Sequence, residues 1–267
     1  MNRIKAIFFD IDGTLVSFRT HSVPLSALRA LDSLRANGVK TFVATGRMLS
    51  MITALNGIPF DGYITNNGAY CVDASCQKVI YACPVPQEDL EALVDHLEKD
   101  PFPVAFMPSD VITVNCVNET VKQVACHLDT PLPRVEDPRL TIRKEIFQFS
   151  PYVNDEKTRY LEQYICPHCT ASRWMPLFAD VNVRGVSKQT GIDRMLDYYG
   201  LSLSETMAFG DGGNDIPMLK HVAVGVAMGN ASEHVKVVAD YTTTSVDEDG
   251  IYHALRHFGL IAPQTKN

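Results

Sequence analysis

The sequence predicts an α/β protein: an open parallel sheet covered by helices, with a second α/β unit inserted into it. Three observations carry that prediction. Strand-length apolar runs alternate with helix-period segments over residues 4–65, and the same alternation resumes over residues 188–226. The stretch between them, from about residue 83 to 184, is richer in Pro and holds most of the cysteines. A chain that begins and ends on one pattern and departs from it midway reads as one sheet domain built from both ends. The expected boundaries are 1–82 and 185–267 for the sheet domain and 83–184 for the insert. With 267 residues and 46% hydrophobic content, the chain can bury the cores this requires.

Residues 4–9 read as a buried strand interrupted only by Lys5, followed directly by Asp10-Ile11-Asp12-Gly13-Thr14. Residues 24–37 read as a helix, with Pro24 near its first turn, Leu25, Leu28, Leu31 and Leu34 at three-residue spacing, and Gly38 as the stop. A second strand over 39–44 ends at Thr45-Gly46-Arg47, a short helix runs to about Asn56, and a third strand over 62–65 ends at Asn66-Asn67-Gly68. This βαβαβ order argues for parallel pairing. In the insert, helical patterns cover 88–99, 119–127 and 155–166, and strand-like runs cover 111–115, 146–150 and 180–183. Its Phe102, Phe106, Phe147, Phe149, Trp174 and Met175, together with Tyr81, are expected to be mostly its core, with some facing a crevice. Beyond it come a helix over 188–199 stopped by Gly200, a strand over 206–209 ending at Gly210-Asp211-Gly212-Gly213-Asn214-Asp215, a short helix over 217–220 and a strand over 223–226.

The net charge of −7 and pI of about 5.6 make nucleic acid and anionic membranes poor partners. A small phosphorylated substrate needs only local positive charge. No stretch is long and apolar enough to span a bilayer, and the start of the chain does not read as a secretory leader, so a cytoplasmic protein is expected. The seven cysteines lack a disulfide-framework spacing and are expected as reduced thiols. Cys166-Pro167-His168-Cys169 has no second pair at zinc spacing and is expected to be a loop feature.

Two acids one residue apart at a strand end are costly unless compensated, and a bend at Gly13 must bring them towards one site. A hard cation such as Mg²⁺ is the obvious compensation. Asp10/Asp12, Thr45-Gly46-Arg47, Lys188, and Asp211 with Asn214 and Asp215 all fall where a strand ends or a helix begins. Ligands of open α/β sheets bind outside the carboxyl ends of the strands. Carboxylates for a metal, a hydroxyl, an amide and an ammonium suit a transferring phosphoryl group. Singly, each piece has a plainer reading: Thr45 as a helix cap, Lys188 as a solvated lysine, the Asp211 loop as a Gly-rich turn.

In this order, the four segments resemble the signature of the haloacid dehalogenase (HAD) superfamily of phosphotransferases. Asp10-Ile11-Asp12-Gly13-Thr14 resembles its first motif, Thr45 its second, Lys188 its third and the Gly210–Asp215 loop its fourth. The insert resembles the α/β (C2-type) cap of the Cof-type branch, and the likeness covers essentially the whole chain. The resemblance implies a Rossmann-like core and a Mg²⁺-dependent phosphatase. Asp10 would be the nucleophile that forms an aspartyl-phosphate, and Asp12 the general acid and base. Ile11, Thr45, Gly46, Lys188 and Asn214 would bind the phosphoryl group, and Asp10, the Asp12 carbonyl, Asp211 and Asp215 the metal. The implied substrates are small phosphorylated metabolites, sugar phosphates above all, handled by a monomer or weak dimer whose cap excludes folded proteins. A phosphomutase or a non-hydrolytic phospho-accepting regulator would use similar groups, but a receiver needs no such insert and an acid at position 12 favours hydrolysis.

Overall fold

The computed structural model describes residues 4–262. In chain order its first strands are β1 (Ala6–Phe9), β2 (Lys40–Ala44), β3 (Gly62–Thr65), β4 (Tyr70–Asp73) and β5 (Val79–Ala82). Next come β6 (Val104–Met107), β7 (Thr113–Val114), β8 (Arg134–Val135), β9 (Gln148–Pro151), β10 (Cys169–Met175) and β11 (Phe178–Val183). Last are β12 (Thr206–Gly210), β13 (Val224–Ala227) and β14 (Tyr241–Thr242). They form two sheets, ordered β14-β13-β12-β1-β2-β3-β4-β5 and β10-β11-β9-β6-β7-β8.

The first sheet is parallel from β14 to β3, and β4 and β5 extend it antiparallel. β1 lies between β12 and β2, where the order reverses. That point is the ligand crevice of such sheets. Successive side chains of β1 alternate between two cores. Ile7 and Phe9 face the core shared with helices Leu25–Ala36 and Gly250–His257, while Ala6 and Phe8 face the core under helices Lys188–Tyr199 and Ile216–His221. A strand buried on both faces reads as an unbroken apolar run, which is why Ala6–Phe9 looks as it does. Gly200 ends the helix Lys188–Tyr199 at φ 65°, a left-handed stop favoured by glycine.

The second sheet lies within residues 104–183 and is covered on one face by an apolar core that includes Leu90, Leu93, Val104, Phe106, Phe149 and Val181. The alternate residues Gln148, Ser150, Asp180 and Asn182 are buried polar groups on the opposite face. That face looks onto the carboxyl ends of the first sheet.

Several expected elements differ. The short helix after Arg47 is instead two 3₁₀ turns, Leu49–Met51 and Thr53–Leu55, because the Arg47 guanidinium takes the Met51 carbonyl (3.2 Å) that a continuing helix would use. The helix expected over 155–166 is α-helical only over Asp155–Tyr160 and widens into a π turn over Leu161–Ile165. The strand expected over 111–115 shortens to β7, since the Asn115 amide bonds the Val104 N–H and the Phe102 carbonyl and ends the pairing. Tyr81 lies on β5 of the first sheet and packs against its core rather than the insert's. All seven cysteines are free thiols. Among the described residues no helix is long and apolar enough to cross a membrane.

Candidate active site

Asp10 follows β1 on the face covered by the helix Lys188–Tyr199, and this places Lys188 against it. The Lys188 ammonium, fully buried, donates to Asp10 Oδ1 at 2.5 Å and to Asp215 Oδ1 at 2.6 Å. The other Asp215 oxygen accepts the Asp211 and Gly212 N–H groups at 2.9 and 2.8 Å, so Asp215 ties the loop after β12 to the lysine. Burial alone would lower the Lys188 pKa, but the attraction of Asp10 and Asp215 outweighs it and holds the ammonium charged. Burial, and then the charges of Asp215, Asp211 and Asp12, push the Asp10 carboxyl well above its ordinary range despite the lysine.

Asp211 accepts from the Thr14 hydroxyl at 3.0 Å and from the Asn230 amide at 3.1 Å, and Asn230 also holds the Gly13 carbonyl at 2.9 Å. Thr14 and Asn230 are participants that sequence reasoning did not single out. Gly13 sits at φ +84°, and a Cβ there would lie 2.2 Å from Asp211 Oδ2. Gly13→Ala is therefore expected to displace Asp211, weakening divalent-cation affinity at least about tenfold by activity titration. It should also lower stability by about 1–3 kcal/mol through the strained φ.

The Asp12 carboxylate does not turn towards Asp10. Arg47 grips it with two parallel bonds, Nε to Oδ2 at 2.8 Å and Nη2 to Oδ1 at 2.6 Å, in a partly buried pair. Burial would lower the Arg47 pKa, but the bond to Asp12 raises it. Arg47 thus belongs to the site, and only its place directly after Thr45-Gly46 hinted at this. Thr45 is buried, and its hydroxyl oxygen accepts the Arg47 N–H at 3.1 Å. Its own N–H is spent on the Ile64 carbonyl at 2.8 Å, because β2 and β3 still pair there. The hydroxyl proton remains as its donor.

These groups open onto a cavity of about 610 Å³ lined by Asp10, Asp12, Thr45, Gly46, Asp211 and Asn214 from the first sheet's loops. Phe18 and Met51 add apolar surface from the same side. Met107, Gln148, Met175, Phe178 and Asp180 form the opposing wall from the second sheet. A run of polar contacts joins the walls. The Asn214 amide donates to Asn67 (2.9 Å), Asn67 donates to Gln148 (3.0 Å) and Asp180 (3.2 Å), and Gln148 donates to the Gly46 carbonyl (3.2 Å). Asn67, Gln148 and Asp180 were not identified from sequence, since their meeting depends on how the two sheets face each other. Two expected substrate groups do not line the cavity: the Ile11 side chain lies in the core, and Lys188 lies beneath Asp10. The Trp174 side chain lies outside the described residues.

Asp10, Asp211 and Asp215 each place a carboxylate oxygen within 4.8 Å of the others. Two buried carboxylates and the part-exposed Asp211 beside one ammonium form an oxygen-rich, anionic donor set that fits a divalent cation. Residues 7–255 match the family model of haloacid dehalogenase-like hydrolases. The chain belongs to that family. It is 33% identical to a putative phosphatase of Bacillus subtilis (strain 168), over 96% of this chain and 98% of the relative. It is 41% identical to a 5-amino-6-(5-phospho-D-ribitylamino)uracil phosphatase of the same organism, over 96% of each. Among solved structures, a HAD subclass IIB sugar phosphatase superposes with a TM-score of 0.90 at 45% identity, covering 96% of this chain and 100% of that one. The protein is a HAD phosphatase with a parallel-sheet core, and phosphatases of the superfamily generally use a divalent metal.

For this HAD phosphatase, the Asp211 carboxyl is pushed up to about 7, by burial first and then by the charge of Asp215. A cation must displace that proton and the one Asp10 holds, so metal affinity should rise with pH towards neutrality, by at least roughly tenfold per pH unit below about 7. An acid whose folded pKa is raised holds its proton more tightly folded than unfolded. Asp211 therefore makes the metal-free protein less stable as pH rises from 3.8 to about 7. Calorimetric metal titrations and thermal melts across that window check both signs.

Proposed function

We propose that the protein hydrolyses phosphate monoesters of small metabolites, sugar phosphates foremost, with Mg²⁺ and through an aspartyl-phosphate on Asp10. The observation that carries this reading is the position of Asp10, which lines the cavity at the end of β1 with one oxygen fixed by Lys188 and with Asp211 and Asp215 beside it. Mg²⁺ would be held by Asp10, Asp211 and the Asp12 carbonyl, with Asp215 supporting the set, and when bound it neutralises charge on the phosphoryl oxygens. Asp10 attacks phosphorus, the ester oxygen leaves, and the phosphoryl group rests on the Asp10 carboxylate. Asp12 protonates the leaving oxygen and then takes a proton from the water that attacks the intermediate. Because Arg47 occupies both Asp12 oxygens, Asp12 must leave that pair before it reaches the leaving oxygen. Thr45 and Asn214 point donors at the phosphoryl oxygens. Lys188 holds Asp10 in line from below.

The wall formed by Gln148, Asp180 and Met107 would hold the alcohol part, with polar groups for hydroxyls and an apolar strip beside them. Residues 83–184 act as a cap over residues 1–82 and 185–267, excluding bulk water and large substrates. A monomer or weak dimer suffices, since each site residue comes from one chain.

The test is phosphate release from p-nitrophenyl phosphate with and without Mg²⁺, followed by a panel of phosphorylated metabolites ranked by kcat/KM. Continuous Mg²⁺-dependent release with hexose and pentose phosphates leading supports the reading. Equal rates after complete removal of divalent cations, or no sugar phosphate above the p-nitrophenyl ester, would contradict the respective part of it.

A further inference from the structure

Cys166-Pro167-His168-Cys169 leads into β10, whose far end carries the cavity residue Met175, and the folded chain places a second group of donors beside the motif. Glu88 and Asp89, in the first turn of the helix Gln87–Lys99, bring their carboxylates to His168. His168 Nδ1 is 2.9 Å from Asp89 Oδ1 and 3.3 Å from Glu88 Oε1, and the three ligating atoms all lie within 4.8 Å of one another. The Cys169 thiol donates to the second Asp89 oxygen at 3.3 Å. The missing half of the motif therefore comes from a helix about eighty residues earlier rather than from a second cysteine pair.

Two features set this cluster apart from a surface ion pair. Asp89 is only 2% exposed, beneath an apolar core, and among the described residues no Lys or Arg forms an ion pair with it. Its carboxylate is met by the His168 ring (2.9 Å), the His168 N–H (3.1 Å) and the Cys169 thiol, so the imidazole and thiol that face it are groups whose protons a soft divalent cation can replace. Cys169 is fully buried with its sulfur aimed at that same carboxylate, although a thiol packed for its bulk alone needs no such partner. Nearby Arg184 is spent on the carbonyls of Pro167 and Cys169.

We propose that Glu88, Asp89 and His168 form a divalent transition-metal site of the zinc class, with the Cys169 sulfur placed to enter as fourth ligand. Imidazole, carboxylate and thiolate together suit Zn²⁺ or Co²⁺ and do not suit Mg²⁺. Binding displaces the Cys169 thiol proton to solvent and changes no oxidation state. The metal would tie the helix Gln87–Lys99 to the start of β10 and so brace the insert.

The test uses the intact protein with Mg²⁺ in large excess, which occupies the oxygen site at Asp10 and Asp211. Zn²⁺ is titrated by calorimetry and Co²⁺ by absorption spectroscopy. One equivalent of Zn²⁺ should bind, Co²⁺ should show a thiolate charge-transfer band, and Zn²⁺ should raise the melting temperature. His168→Ala, at an exposed position, should weaken Zn²⁺ at least about 100-fold while leaving the Mg²⁺-supported phosphatase rate unchanged. Asp211→Asn should leave Zn²⁺ binding intact. Cys169→Ser should keep binding but lose the cobalt band. Absence of Zn²⁺ binding under excess Mg²⁺, or affinity unchanged in His168→Ala, would overturn the site. A cobalt band that persists in Cys169→Ser would remove Cys169 from it.

Discussion

Asp10→Asn is expected to reduce turnover by at least about 10⁴-fold while leaving the fold intact, because an amide in place of the proposed nucleophile cannot take the phosphoryl group. The geometry also separates this loss from damage. Asp10 shares a buried space with Asp215 and Asp211, and their charges oppose its ionisation. A neutral amide relieves that repulsion, and Lys188 keeps its bond to Asp215 at 2.6 Å. Unfolding in metal-free buffer should therefore show Asp10→Asn at least as stable as the parent protein. Steady-state rates within about tenfold of the parent would contradict the nucleophile, whatever the stability.

Lys188→Met should have the largest effect on stability. The lysine is the counter-charge for two buried carboxylates, at 2.5 and 2.6 Å, and is itself wholly inaccessible. Replacing it with an apolar chain of similar length leaves both acids buried and unpaired, at a cost of about 3–5 kcal/mol. The loss should shrink on acidification, since the orphaned carboxyls then take protons more readily in the folded state than in the unfolded one. Adding Asp215→Asn should restore part of the stability without restoring activity. Denaturant titrations at neutral and acidic pH read both effects. A loss below about 1 kcal/mol at neutral pH would mean that Lys188 is not the counter-charge of this site.

Much of the core was legible because its strands are buried on both faces. β1 is apolar throughout, β2 and β12 become so after their first one or two residues, and the acids or Thr45 directly after them mark the ends where a parallel sheet collects its ligands. The helix Lys188–Tyr199 was equally plain, with periodic apolar residues and a glycine stop. The β4–β5 hairpin was not, since it extends the sheet as short half-exposed strands of mixed composition. Nor was β10, where Arg173 breaks the alternation of Cys169-Thr170-Ala171-Ser172 and the pairing shifts register before Met175. In the site, the aspartates and Lys188 announced themselves by position. The turn of Arg47 back onto Asp12, 35 residues earlier, is set by tertiary packing and has no local signal. The same holds for Asn67, Gln148 and Asp180, which meet only because one face of the second sheet closes the cavity over the first.

The central claim is that Asp10 carries the phosphoryl group between substrate and water. The most direct measurement is the stereochemical course at phosphorus, using p-nitrophenyl phosphate made chiral with oxygen isotopes and a co-solvent alcohol as acceptor. Two in-line displacements, first onto Asp10 and then onto the acceptor, predict net retention of configuration. Net inversion would mean a single direct displacement and would contradict the account.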